Sequence, residues 1–417
     1  MLPKIQPLPA VRFPAHSLFA LGCLVLLQSC NGLRPPALQI DPEDYLRHEL
    51  FPPVAENFVL ESPDDLFVLP DSYKRQLDLQ VLTQESEYER YKKLRQWAFQ
   101  RFEDYEFTTM ETISLAELNS ARKINCLSFS AMYVAAARYS GVSAQFQLVF
   151  APPYWDNRNG SWINNQHINV SGEVDLPDFA LEFEDLTDPS AIPVHFGQAD
   201  FGRSYRYVVD VNPAVVSMRS RRRVISEEEV ASLFYSNKSI EQLLLGELGN
   251  AFAYTRAALR SDPGSSLAWN NLGVLYGRVH SPNEAIAAFE LAIALDDNAH
   301  SARSNLARTY RAVGQESLAL ELEETVSNFR ESNPYYLAAL AEEEMAAGNY
   351  LAAREKFEDA LDKKHNEQHF YHQLAIISLQ LGDRIGVLEN LKSAQRYARG
   401  RDKGVFANKL QALETLL

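Results

Sequence analysis

The sequence predicts an α+β domain followed by an all-α solenoid of helical repeats, and two observations support this prediction. The first is a pattern of apolar and small residues that recurs every 34 positions between residues 232 and 401. The second lies earlier in the chain, where one helical run is followed by several runs typical of strands. A length of 417 residues fits two or three domains.

Composition and charge exclude several classes of function. Hydrophobic residues make up 46% of the chain and charged residues 23%, which is ordinary for globular proteins. The formal net charge is −15, so we expect no nucleic-acid partner. The basic cluster of Arg219 and residues 221–223 is predicted to be a solvated linker, with a specific anion site as the alternative. The sequence contains no metal-ligand spacing, phosphate loop or dinucleotide fingerprint, so we expect neither a metal nor a cofactor.

Residues 1–29 have the features of a secretion signal. Lys4 and Arg12 precede an apolar run at 18–27, which is too short to span a bilayer as a helix. The residues Leu27-Gln28-Ser29 then lead directly into Cys30, and this sequence resembles the lipobox of bacterial lipoproteins. The alternative is ordinary secretion with Cys30 as a spare thiol.

The lipobox resemblance implies where the protein resides. Cys30 would carry the lipid and become the mature N-terminus, so that the membrane is contacted through this lipid alone. Asn31 follows it, and the resemblance then favours the outer membrane, facing the periplasm, over the inner membrane. We therefore expect a lipid-anchored protein of the bacterial cell envelope.

Cysteine usage singles out one residue. The chain has three cysteines, Cys23, Cys30 and Cys126. Once the signal is removed and Cys30 is acylated, Cys126 is the only thiol left, so the mature chain can form no intramolecular disulfide. A lone thiol in an oxidising compartment is either buried or reactive, and composition alone does not decide which.

The C-terminal half is predicted to be an array of helix pairs. The 34-residue register divides it into five units, 232–265, 266–299, 300–333, 334–367 and 368–401, and residues 402–417 read as an amphipathic capping helix. The positions that define the register are filled in the second unit by Trp269, Leu272, Gly273, Tyr276, Ala285, Phe289 and Ala292.

This pattern resembles the tetratricopeptide repeat. The resemblance implies a solenoid with a concave groove that binds a peptide or protein partner. The alternative is that the array packs only against the N-terminal part of its own chain.

Two segments precede the repeats. Residues 30–70 are rich in proline and are predicted to form an extended tether with one short helix near residues 44–50. Residues 71–231 are predicted to form the α+β domain, beginning with two helices within residues 72–103.

Cys126 is predicted to begin a helix within this domain. Apolar and small residues follow it with helical spacing, and Gly141 supplies a stop signal. At a helix N-terminus the dipole and the unpaired N–H groups stabilise a thiolate and can hold an oxyanion. A strand at 144–150, a polar loop at 152–165, a strand containing His167 and a strand at 205–211 containing Asp210 are predicted next.

Three short motifs carry a second resemblance. They are Asn125-Cys126-Leu127-Ser128, Gln166-His167-Ile168-Asn169-Val170 and Val209-Asp210-Val211-Asn212-Pro213. Together they resemble the nucleophile helix, histidine strand and aspartate strand of the transglutaminase-like superfamily, which has a papain-type core.

The resemblance implies a catalytic triad. Cys126 would attack, His167 would act as base and then as acid, and Asp210 would orient the imidazole. The separation of His167 and Asp210, 210 − 167 = 43 positions, is longer than the family's usual hairpin. The additional segment, residues 172–204, contains further candidates for the third role, which are Asp175, Asp178, Asp185 and Asp188.

Two functions follow as expectations. The first is a cysteine peptidase, amidase or acyl transferase acting on a peptide or isopeptide amide, with hydrolysis preferred. The second is a protein–protein scaffold or assembly adaptor whose transglutaminase-like domain is inactive. In that case Cys126 is a buried small side chain, His167 a satisfied core histidine and Asp210 part of an ordinary turn before Asn-Pro.

Overall fold

Helices dominate the part of the chain that the computed structural model describes. This part comprises residues 40–108, 111–150, 155–158, 161–164, 167–175, 204–211, 221–398 and 400–414, with 155–158 and 161–164 described by their backbone alone. The predicted signal at 1–29 and Cys30 lie outside the described residues. From Pro42 onward the chain forms one compact unit.

Short helices and two longer ones open this unit. Ser62 and Ser86 each cap one of these helices, since the side chain of each accepts a hydrogen bond from the backbone N–H three residues further on. The two helices predicted within residues 72–103 are confirmed by Asp71–Gln80 and Glu87–Phe102. The elements are two 3₁₀ turns, Pro42–Asp44 and His48–Leu50, followed by α1 (Pro63–Phe67), α2 (Asp71–Gln80) and α3 (Glu87–Phe102).

The mixed part follows, built around one helix and one sheet. Its helices are α4 (Leu118–Ala121) and α5 (Cys126–Tyr139). Its strands are β1 (Glu106–Phe107), β2 (Lys123–Ile124), β3 (Gln145–Phe150), β4 (Trp155–Arg158), β5 (Ser161–Asn164), β6 (His167–Asp175), β7 (Ser204–Val209) and β8 (Arg221–Val224). β1 and β2 form a short parallel pair immediately before α5.

The main sheet is antiparallel, with strand order β7-β6-β3-β8. Helices α3 and α5 contact its central strand β6. Phe146, Val170 and Tyr207 are buried on adjacent strands, and α5 itself is buried along nearly its whole length from Leu127 to Ala137. The nucleophile helix of the prediction is therefore a core element, and its N-terminus is held rigidly beside the sheet.

The predicted loop at 152–165 contains a hairpin. β4 pairs with β5 in antiparallel register, with Asn157 opposite Trp162 and Arg158 opposite Ser161. The polar composition of this stretch favoured a loop. Asn159-Gly160, the dipeptide between the two strands, is the strongest short-range hairpin signal, and it was the evidence that pointed to the correct structure.

The basic cluster is also different from the prediction. Residues 221–224 are not a solvated linker but form β8, the edge strand that pairs with β3. Arg222 stands opposite Val149 in this pair, and its side chain is half-buried. Three charged residues in succession suit an edge strand, where one side of the ladder stays open to water. Arg219 lies outside the described residues.

The proline-rich segment packs against the repeats over residues 42–58 rather than extending freely. The ring of Phe51 stacks on Phe252 with 4.0 Å between the ring centroids, and Tyr45 lies edge-on to Trp269 at 5.2 Å. Tyr276 donates its hydroxyl hydrogen to the backbone oxygen of Tyr45. Aromatic side chains among the prolines supply the apolar surface that a free tether would lack.

The C-terminal half consists of antiparallel helix pairs with a terminal helix. The first helices of four pairs begin at residues 266, 300, 334 and 368, and each step is 34 positions (300 − 266 = 34). The pairs are α6 (Glu227–Leu244) with α7 (Leu248–Ser261), α8 (Ser266–Arg278) with α9 (Pro282–Leu295), α10 (His300–Ala312) with α11 (Glu316–Ser332), α12 (Pro334–Ala346) with α13 (Tyr350–Lys363), and α14 (Gln368–Gln380) with α15 (Arg384–Tyr397). The last helix is α16 (Gly400–Glu414).

The predicted repeat array is confirmed by this register. Gly314, Gly348 and Gly382 adopt positive φ in the turns within their pairs, where other side chains are strained. Phe289 and Phe357 are fully buried at equivalent positions, as expected for residues that fill the space between helices. The first pair begins earlier than predicted, at Glu227, because Ser226 forms a capping box there.

Within the described residues, no helix is both long enough and apolar enough to span a membrane.

Candidate functional site

Cys126 is the first residue of α5. Asn125 caps this helix, since its Oδ1 accepts a hydrogen bond from the Ser128 N–H at 2.8 Å. The next amide in the turn, that of Phe129, donates to the backbone oxygen of Asn125 at 3.0 Å. Cys126 is a free cysteine and is partly exposed, whereas the residues on either side of it are buried. This position places the thiol at the positive end of a buried helix.

A strip of backbone, residues 111–113, holds the cap in place. Asn125 Nδ2 donates to the Glu111 backbone oxygen at 3.1 Å and to Thr112 Oγ1 at 3.3 Å. Ser128 Oγ donates to the Ile113 oxygen at 2.6 Å and accepts from its N–H at 3.3 Å. The N-terminal turn of α5 is therefore fixed by side-chain bonds from two of its residues.

His167 and Asp210 meet on neighbouring strands. His167 is the first residue of β6, and Asp210 directly follows β7, which pairs with β6. The distance between His167 Nε2 and Asp210 Oδ2 is 2.7 Å, and both side chains are buried. Burial makes this ion pair or hydrogen bond much stronger than the same contact at the surface.

The Cys126 thiol completes this group. Burial disfavours the charged imidazole, but hydrogen bonds to Asp210 and Cys126, together with their charges, outweigh it and raise the pKa of His167 above its ordinary value. The structure thus brings together Cys126, His167 and Asp210, the three residues that the motifs singled out.

Two further residues adjoin the group. Asn169 is 1% exposed and donates from Nδ2 to Asp210 Oδ2 at 3.0 Å. Burial lowers the pKa of Arg222, while the negative charge of Asp210 acts in the opposite direction. Sequence reasoning assigned no role to either. Asn169 lies two positions after His167 and so shares its side of the strand, which was the available signal.

The other aspartates considered for orienting the imidazole either lie far from His167 or fall outside the described residues. Asp175 stands at the opposite end of β6, eight positions along an extended strand (175 − 167 = 8), which places it on the order of 26 Å away. Asp178, Asp185 and Asp188 lie outside the described residues.

The described residues contain no cluster of three or more potential metal ligands. His369 contacts Glu342 at 2.9 Å on neighbouring repeat helices. His372 lies 2.8 Å from Lys409 Nζ. These histidines therefore have ordinary polar partners within the repeat array.

Comparisons with known proteins gave matches among solved structures only. No protein-family model matches the sequence, and no curated protein matches it. Similar solved structures include MamA from Desulfovibrio magneticus RS-1, with 17% identity, 40% of this chain and 94% of that chain covered, and a TM-score of 0.23. YrrB, a TPR protein with an unusual peptide-binding site, has 19% identity, 43% and 92% coverage and a TM-score of 0.23.

The Pseudomonas aeruginosa protein pilF is also similar, with 16% identity, 46% of this chain and 92% of that chain covered, and a TM-score of 0.25. The repeat architecture of this chain follows from the 34-residue spacing of its own helices.

Proposed function

We propose that this chain is an envelope lipoprotein with a transglutaminase-like domain that carries out thiol-dependent acyl chemistry on peptide or isopeptide amides. The proposal rests on one set of contacts, in which His167 bonds to Asp210 at 2.7 Å and also interacts with the Cys126 thiol. A nucleophile, a base and a group that fixes the base's orientation are the minimum set for such chemistry.

The first half-reaction forms an acyl-enzyme. The Cys126 thiolate attacks the amide carbonyl, a carbon–sulfur bond forms, and the imidazolium of His167 gives its proton to the departing amine as the carbon–nitrogen bond breaks. Of the first-turn amides of α5, those of Ser128 and Phe129 are already bonded to Asn125. The N–H groups of Cys126 and Leu127 are the donors assigned to the developing oxyanion.

The second half-reaction releases the acyl group. His167 takes a proton from water, and the resulting hydroxide adds to the thioester. The carbon–sulfur bond then breaks, which releases the carboxylic acid and regenerates the Cys126 thiolate beside the protonated His167. An amine in place of water would give acyl transfer by the same steps. Hydrolysis is the proposed outcome, which makes the protein a cysteine peptidase or amidase.

The repeat array is proposed to bind a peptide or protein. Polar side chains on successive first helices support this role. Asn305 Nδ2 on α10 donates to Asn270 Oδ1 on α8 at 2.9 Å, and the exposed Arg308 donates to Asn305 Oδ1 at 3.2 Å. Such amide and guanidinium groups suit the backbone and carboxylates of an extended peptide.

A thiol-directed probe tests the catalytic proposal. Iodoacetamide at neutral pH, read at the Cys126 peptide by mass spectrometry, should modify the wild-type protein quickly. His167→Ala should slow this labelling at least about a hundredfold, since the base that maintains the thiolate is gone. His369→Ala, which changes an imidazole within the repeats, is the matched control and should label like the wild type.

Slow labelling that does not respond to His167→Ala would favour the scaffold, in which the domain is inactive and the repeats carry the function. The anchor has its own test. Cys30→Ala should abolish incorporation of labelled fatty acid and release the protein from the membrane fraction, whereas Cys23→Ala should leave both unchanged. Membrane attachment that survives Cys30→Ala would contradict the lipoprotein assignment.

A further inference from the structure

The first helix of the repeat array reaches the strip of backbone that holds the nucleophile helix. Glu241 lies on α6, and its Oε1 accepts a hydrogen bond from the Thr112 N–H at 2.7 Å. Thr112 is 3% exposed, so this amide depends on Glu241 for an acceptor rather than on bulk water. The contact joins residues that are 129 positions apart in the chain.

From Thr112 the connection continues to Cys126. Thr112 Oγ1 and the Glu111 backbone oxygen both accept hydrogen bonds from Asn125 Nδ2, at 3.3 and 3.1 Å. Asn125 in turn caps α5 through the Ser128 N–H at 2.8 Å. A continuous series of hydrogen bonds thus runs from the repeat array to the residue immediately before the thiol.

Packing reinforces this connection. Val230 and Phe234 of α6 line the same small cavity as Leu127 and Ala131 of α5, together with Ile113 of the strip. α6 thus pairs with α7 in the array, and two of its side chains also line a cavity with side chains of α5. Because packed interiors are stiff, we expect a change in the position of α6 to reach the N-terminus of α5.

We propose that Glu241 is a positioning residue through which the first helix of the repeat array fixes the Cys126 end of α5. This inference rests on the proposed thiol chemistry. It assigns to the array a second role besides partner binding, because the relative position of Cys126 and His167 then depends on the position of α6. A partner that shifts α6 would change the reactivity of the thiol.

The test compares two replacements of Glu241 in the full chain. Glu241→Ala removes the acceptor of the Thr112 amide and should slow iodoacetamide labelling of Cys126 about fivefold to tenfold, the scale of losing one cap or buried hydrogen bond. It should also shift the pH midpoint of the labelling rate. Glu241→Gln keeps Oε1 and should restore both the rate and the midpoint. Glu247→Ala changes an exposed carboxylate on the same helix pair and should match the wild type.

A second variant covers the case in which Glu241→Ala does not fold. Asn125→Ser keeps a capping oxygen for α5 but removes the amide that bonds to Glu111 and Thr112. It should slow labelling to a similar extent. Where both single variants fold, the double variant should be no slower than either, because the two residues act in one series.

The possible failures are distinguishable. If His167→Ala labels like the wild type, the proposed chemistry is wrong. If His167→Ala abolishes labelling but Glu241→Ala keeps the wild-type rate and pH midpoint, only the positioning role is wrong. A loss of rate shared equally by Glu241→Ala, Glu241→Gln and Glu247→Ala would also overturn it, since that result reflects general destabilisation. Where Glu241→Ala does not fold, a wild-type rate in Asn125→Ser overturns it.

Discussion

Asn169 Nδ2 donates to Asp210 Oδ2 at 3.0 Å, the same oxygen that lies 2.7 Å from His167 Nε2. One carboxylate oxygen thus holds two partners from a single strand, β6. The carboxylate cannot rotate without breaking both contacts. Its orientation, and that of the imidazole, is therefore set by the backbone of β6 as much as by Asp210 itself.

Replacing Asn169 should loosen this arrangement. Asn169→Ala removes a hydrogen bond that orients Asp210 Oδ2, and we expect labelling of Cys126 to slow about fivefold, the scale of a single hydrogen bond. Ser171→Ala, on the same strand two residues further along, is the control and should label normally. An unchanged rate in Asn169→Ala would mean that the contact with Asn169 does not help to orient the carboxylate.

Asp210 should matter much more than its neighbour. Asp210→Asn preserves the shape but removes the charge that stabilises the imidazolium, so labelling should fall roughly a hundredfold or more. Asp175→Asn is a matched control because Asp175 belongs to β6, the strand of His167, but lies at the far end of that strand from His167. Equal effects of the two substitutions would show that net charge, rather than the contact with His167, controls the thiol.

Features that repeat along the chain, or that are carried by short motifs, could be predicted from the sequence. A 34-residue period survives in each unit because every helix pair buries the same face against the next, and this fixes the helix starts at 266, 300, 334 and 368. The pairing of Cys126, His167 and Asp210 followed from three short motifs, although the family itself remains a prediction.

Contacts between residues that are far apart in the chain could not be predicted from the sequence. Nothing local marks Glu241 as the acceptor for Thr112, because the two residues are 129 positions apart and come together only in the folded structure. The same holds for residues 42–58, whose aromatic side chains contact partners about 200 positions later in the chain. Composition favoured a tether there, and tertiary packing overrode it.

Glu241 should also leave a signature in the pH dependence of stability. Burial raises the pKa of Glu241 to about 7, against the opposing charge of Lys238 and the hydrogen bond from Thr112, with Glu111 acting in the same direction as burial. Besides burial, the negative charge of Glu241 contributes to raising the pKa of Tyr254. Between its ordinary value of 4.5 and about 7 the folded chain holds a proton that the unfolded chain has released, so the contribution of this group to stability falls as pH rises.

Glu241→Gln removes this titration. The free energy of unfolding of the variant relative to the wild type should therefore increase from pH 5 to pH 8. The increase is at most about 1.4 kcal/mol per pH unit, and less because solvent reaches part of the side chain. Thermal melts at a series of pH values measure this difference. Glu247→Gln is the control for the loss of one exposed carboxylate on the same helix pair. A flat difference for Glu241→Gln would mean that this carboxylate does not titrate in the window.

The repeat core contains a matched pair of glycines that separates close packing from helix propensity. A Cβ added at Gly273 would lie 2.5 Å from the ring of Phe289, which is 2% exposed and cannot move aside, whereas a Cβ at Gly277 on the same helix would meet nothing within 4 Å. Gly273→Ala should therefore destabilise the protein by about 1–3 kcal/mol.

Gly277→Ala should have the opposite sign. Alanine loses less backbone entropy than glycine on entering a helix, so this variant should be more stable by up to about 1 kcal/mol, and by less than that near the end of α8. Urea denaturation of both variants measures the two signs. If Gly273→Ala were also stabilising, α8 and α9 would have to separate easily at this point. The close approach of Gly273 and Phe289 would then be a consequence of packing elsewhere and not a constraint that required glycine.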